Sequence, residues 1–191
     1  AKKDKLGRSS FDGEIGFQEN LTNRSVVLGS LLANNQFITE EDFIGFKFND
    51  EYSKEFKLYN YIELIKESSN QNSQFQKAKK LLLSWDLKTN IENKAAPLGV
   101  CYLRDSWDNN KDFDLQKSDE ILLSCSEKFM KKNLQWGDVN KLVRGKKELA
   151  ISGGPDILRA IYGIPYKSNK LKAVAGDGLV IFVKWDKNGN Q

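Results

Sequence analysis

The sequence predicts an α+β fold: a mainly helical segment followed by a small antiparallel β element near the C-terminus. Two observations predict it. Apolar residues recur at helical spacing in several stretches between Val26 and Met130. Period-two, β-rich runs bounded by turn residues appear only from Leu171 onward. At 191 residues the chain suffices for one domain, burying roughly 70% of its extended surface without a disulfide scaffold.

Residues 1–20 are polar, contain Gly7, Gly13 and Gly16, and read as a loop segment. Residues 21–134 read as a helical region. In it, Val26, Val27, Leu31 and Leu32 share a face of a first helix that begins at Thr22 and ends at Asn34 and Asn35. Thr39 followed by Glu40, Glu41 and Asp42 is an N-cap with acids in the first turn, where the helix dipole favours them. Ser53 is placed to cap a longer helix carrying Phe56, Tyr59, Ile62 and Ile65. After a polar connector at 67–73, Ser73 and Gln76 have the spacing of a capping box for a helix ending near Trp85. Residues 95–107 are predicted helical, with Pro97 tolerated in the first turn. Beyond a polar loop at 105–117, Ser118 is expected to cap a helix with Ile121, Leu122, Cys125, Phe129 and Met130 on one face.

Residues 135–191 read as a loop, a short helix and a β-hairpin. Four glycines between 135 and 154 predict ordered loop, and Pro155 is expected to open a helix that Gly163 stops. Runs at 171–175 and 179–185 flank Gly176-Asp177-Gly178, the signal for a hairpin between them.

Composition narrows the chemistry. Thirty basic and 26 acidic residues leave a net charge of +4 spread along the chain. Runs such as Lys131-Lys132 and Lys146-Lys147 read as solvated surface, so no nucleic-acid partner is expected. No stretch approaches the ~20 apolar residues of a membrane-spanning helix. There is no histidine, which excludes Ser-His-Asp and Cys-His catalysis and His-ligated zinc within this chain. Cys101 and Cys125 have two readings, one disulfide or two small buried apolar side chains.

Four segments go further: LTNRSVVLGSLL at 21–32 with the following FITEEDF, LLLSWDLKTNIENKAAPLGV at 81–100, QWGDVNKLVRGKKELAISGGPDILRAIYG at 135–163, and AVAGDGLVIFVKWDKNGN at 173–190. In order and spacing they resemble the penicillin acylase family, nearest the branch of acyl-homoserine-lactone acylases and aculeacin-type lipopeptide acylases. The resemblance implies a periplasmic or secreted amide hydrolase of two chains cut from one precursor, with the αββα fold of N-terminal-nucleophile hydrolases. In that family the serine at the start of the heavy chain attacks the amide carbonyl, its own α-amine (pKa near ~8) serves as base, and an asparagine and backbone N–H groups hold the oxyanion. Such chemistry needs no histidine.

This chain departs from the full enzyme because it starts with Ala1 and has no Ser-Asn start. The expectation is therefore part of a heavy chain, inactive by itself. Its partners would be the light chain, the rest of the heavy chain and a small N-acyl amide substrate. The rival from another class is a non-catalytic helical binding or structural domain.

Arg24 is the one residue tied to the active site, matching an arginine that relatives place near the catalytic groups. It reads either as a rigid fork that holds a carboxylate or carbonyl, or as a surface ion pair at a helix start. Trp85-Asp86 and Trp185-Asp186 read more simply as aromatic anchors beside an acid that caps or pairs. Gly153-Gly154-Pro155-Asp156 is read as a helix start, with Asp156 in its first turn. No cofactor is assigned; some relatives hold calcium near the region of Asp12 and Glu14, but the spacing here makes no calcium loop.

Overall fold

The computed structural model describes residues 21–34, 37–108, 113–176 and 180–185. Within them the α+β expectation holds: seven α-helices precede a four-stranded sheet. The helices are α1 (Asn23–Ala33), α2 (Glu40–Lys47), α3 (Tyr59–Leu64), α4 (Ser73–Leu83), α5 (Ala96–Asp108), α6 (Leu115–Phe129) and α7 (Trp136–Val139). The loop expected at 1–20 lies outside the described residues.

Helix starts follow side-chain chemistry more closely than apolar spacing alone. Thr22 and Thr39 each accept from the third residue of their helix, whose side chain answers the cap's own N–H. Three expected starts move. Asn72, not Ser73, caps α4, its Oδ1 accepting from Gln74 and Phe75. Asp114 caps α6 by accepting from Lys117, four residues ahead of Ser118, which is instead buried inside the helix. Ser53 caps no helix, since α3 begins only at Tyr59.

α4, α5 and α6 pack their apolar stripes into the core through Phe75, Leu82, Leu98, Tyr102, Ile121 and Leu122, all nearly inaccessible to water. Burial raises the Tyr102 phenol to about 12, and it is satisfied by Tyr61 O and Ser118 Oγ at 2.8 and 2.7 Å. Cys101 and Cys125 are joined in a disulfide between α5 and α6.

The sheet is larger, earlier and more mixed than expected. Its strands are β1 (Asn140–Arg144), β2 (Lys147–Ala150), β3 (Ile161–Tyr166) and β4 (Lys170–Gly176), in the order β2-β1-β4-β3. The β1–β2 and β3–β4 pairs are antiparallel, but β1 runs parallel to β4. Much of the glycine-containing segment expected to be loop is thus strand. Arg144 pairs with Lys147 across a two-residue turn whose first member, Gly145, has φ 56, so that glycine marks a hairpin.

The expected helix after Pro155 is absent. Asp156 has φ 55, outside any right-handed helix, and Ile161 already belongs to β3. The intervening loop is clipped by Ile161 N–H to Gly154 O and Gly154 N–H to Arg159 O. β4 lies between β1 and β3, and its antiparallel partner is β3 and not the run expected at 179–185. Residues 180–185 form no strand; there the Phe182 ring meets Phe43 edge-on and Lys184 pairs with Glu40 of α2.

Candidate functional site

α1 starts where three remote segments meet. Asn23, fully buried, donates through Nδ2 to Asp156 O (2.9 Å) and accepts at Oδ1 from Ser53 N–H (2.8 Å). Its own backbone N–H is one of the free donors of the helix start and reaches Asp156 Oδ2 at 2.9 Å. Asp156 therefore does serve a helix N-terminus, but that of α1 and not of its own segment.

Arg24 follows directly. Its Nε lies 3.5 Å from Asp156 Oδ1 and its Nη2 donates to Tyr162 Oη at 3.3 Å. The side chain remains 47% exposed. The fork is thus oriented by an acid and a phenol contributed by residues more than 130 positions away, while part of it faces solvent. An exposed pair of this kind is worth little to stability by itself, ~0–1 kcal/mol.

Asp156 and Tyr162 also line a half-open cleft of about 450 Å³ between α5 and the sheet. Its floor is apolar and aromatic, with Phe56, Val100, Leu103, Trp136, Ile161 and Leu171. Trp107 stands at the rim with Lys57 Nζ 4.4 Å from the centre of its ring. Tyr52, beneath Pro155, donates to Pro155 O at 2.8 Å, and burial, reinforced by Asp156 and Tyr162, drives its phenol far above the ordinary range. It is a fixed neutral donor. Volume and lining are those of small-molecule pockets.

The remaining candidates are placed as follows. Trp85 is buried and donates to Lys88 O at 2.9 Å, while Asp86 accepts from Asn93 and Lys88 N–H, so this pair is an anchor beside an acid that pins the following turn. Trp185 is 57% exposed and so is not the buried anchor expected of it; Asp186 lies outside the described residues, as do Asp12 and Glu14. Gly153 adopts φ 97 with no room for a Cβ, because Arg159 O would sit 2.4 Å away; its carbonyl receives the Trp136 indole N–H and the Asn140 amide. Lys131, Lys132, Lys146 and Lys147 are exposed, consistent with solvated surface. No helix of the described residues is long and apolar enough to cross a membrane.

Among the described residues, one group resembles a metal ligand set: Cys101, Asp105 and Cys125, whose ligand atoms come within 4.8 Å of one another. The disulfide leaves no thiolate there, and Asp105 is engaged by Arg104 and Lys128, so the group does not fit a metal.

Periodicity gave no indication of Tyr162, Asn140 or Tyr52 as site residues. Each is a single polar group on a strand or loop, brought to the cleft by long-range pairing. No protein-family model and no curated protein matches this chain.

Proposed function

We propose that this chain is part of the heavy chain of a penicillin-acylase-type amide hydrolase acting on N-acyl substrates such as acyl-homoserine lactones, penicillins or lipopeptides. The nucleophilic serine, its α-amine and the oxyanion asparagine are supplied by other parts of the same protein. The observation that carries the proposal is the meeting of the first and third resembling segments: Asn23 and Arg24 are tied to Asp156 and Tyr162 beside a half-open cleft. The second and third segments are also joined, by Gly137 N–H to Ile91 O and Trp136 N–H to Asn93 O. Segments that carry a likeness and also share hydrogen bonds behave as one constrained unit. The Cys101–Cys125 disulfide supports a periplasmic or secreted setting.

In this proposal Arg24 holds a carbonyl or carboxylate with the donors that Asp156 and Tyr162 leave free, and those two set the direction of its fork. The test is Arg24→Ala in the intact protein, with precursor cleavage and turnover of an acyl-homoserine lactone as readouts. Loss of tenfold or more, about 1.4 kcal/mol of transition-state stabilisation, is expected in one of them. Arg24→Lys restores only part, because an ammonium keeps the charge without the planar fork. Denaturation midpoints measured alongside separate a lost contact from unfolding. Processing and rates within about twofold of wild type in Arg24→Ala would remove Arg24 from the mechanism. Native polypeptides whose masses include no serine-led chain would remove the acylase itself.

One observation favours the non-catalytic rival. Among the described residues the cleft is lined mostly by apolar and aromatic side chains, the character of a binding groove.

A further inference from the structure

Asn140 opens β1 with its side chain at the cleft wall, 1% exposed. Its Nδ2 donates to Ile151 O at 3.0 Å and Gly153 O at 3.1 Å. Both amide hydrogens are thereby used, and the orientation of the group is fixed. Its Oδ1 is left as an acceptor with no partner among the described residues. Among the described residues, the fully buried side-chain atoms without a partner are Ser106 Oγ and Asp119 Oδ1. Asn140 Oδ1 is therefore not sealed inside protein: the open space this residue meets is the cleft.

A second polar handle lies in the same lining. Tyr162 Oη accepts from Arg24 Nη2 and, at 3.4 Å, from Asp156 N–H. Its own O–H remains as a donor. Of the lining charges, Arg104 is paired with Asp105, Asp156 holds Asn23 N–H and Arg24, and Asp108 is exposed to solvent. A ligand bringing a full charge would desolvate it against an apolar floor, which is unfavourable.

We propose that the cleft binds a neutral, largely aromatic small molecule that presents an N–H or O–H group to Asn140 Oδ1. The aromatic walls and the volume of about 450 Å³ fit such a ligand, and the unpartnered oxygen supplies the selectivity. This site shares Asp156 and Tyr162 with the acylase proposal but does not depend on it, since binding is read without turnover.

The test uses the full 191-residue chain and the fluorescent probe N-phenyl-1-naphthylamine, which is neutral and carries one N–H. Its counterpart is 1-phenoxynaphthalene, the same shape with an ether oxygen in place of the N–H. Expected are saturable one-to-one binding of the amine, energy transfer to it from Trp107 and Trp136, and displacement by the ether at least tenfold weaker. Leu171→Trp, which fills the cleft from β4, should reduce probe affinity at least tenfold while the far-ultraviolet circular dichroism stays unchanged. Equal affinity of amine and ether, or no saturable binding below millimolar concentration, overturns the proposal. So does undiminished binding to folded Leu171→Trp. Should that variant fail to fold, the amine-to-ether ratio on the wild type decides alone.

Discussion

Gly99, on α5 above the cleft wall, offers a prediction in which two effects oppose each other and the structure fixes the sign. Replacing glycine by alanine inside a helix ordinarily stabilises by up to ~1 kcal/mol. At Gly99 a Cβ would lie 2.2, 2.4 and 2.7 Å from three ring atoms of Trp85, against ordinary carbon contacts of ~3.5–4.0 Å. Trp85 cannot swing aside cheaply: it is buried, its indole N–H is held by Lys88 O, and its ring abuts Tyr52. Forced overpacking costs ~1–3 kcal/mol, and an overlap this deep belongs at the upper end. About 3 kcal/mol of strain less about 1 of propensity predicts that Gly99→Ala loses about 2 kcal/mol. Gly45 on α2 is the control, because its Cβ would meet nothing within 4 Å. Gly45→Ala should therefore gain up to ~1 kcal/mol. Urea unfolding of both variants, compared by midpoint at constant slope, measures the two shifts. A stabilised Gly99→Ala would refute the packing of α5 on Trp85.

Two further outcomes are expected. Replacing Cys101 and Cys125 together by alanine opens a link across 24 positions and should cost about 3 kcal/mol, with a thiol reductant then having no further effect on the melting temperature. Glu148 on β2 accepts from Lys167 and Lys170, which hold its carboxyl at about 2 instead of the ordinary 4.5. Its folded value lies below the unfolded one, so this pairing stabilises above about pH 4.5 and is lost as pH falls toward 2. Glu148→Gln should accordingly be less stable than wild type at pH 6, with the difference closing only as pH falls through about 2, as followed by denaturant midpoints.

Helices α1 to α6 and their order are legible in the sequence, whereas α7 falls in a segment expected to be loop and the helix expected after Pro155 does not form. An amphipathic stripe is a local property: Phe75, Ala78 and Leu82 fall on one face whatever surrounds them, and Thr39 with Asp42 closes a helix start within four residues. Side chains of the caps were legible to within a few positions, since Asn72 and Asp114 compete with nearby serines for the same role and only the final backbone angle chooses. Arg24 was legible through the resemblance of its segment, but not its partners. The sheet, by contrast, is set by long-range packing. β4 reads as strand from its own residues, yet whether it pairs with 161–166 or with 179–185 depends on which segment the helical core delivers alongside it. The site was decided there too. Asp156, Tyr162 and Asn140 acquire their meaning from contacts made across 133 residues with α1, from a phenol shared with Arg24, and from an amide locked by the carbonyls of Ile151 and Gly153. Local periodicity carries no record of such pairings, because each is a single polar group whose partner is set by the folded path of the chain.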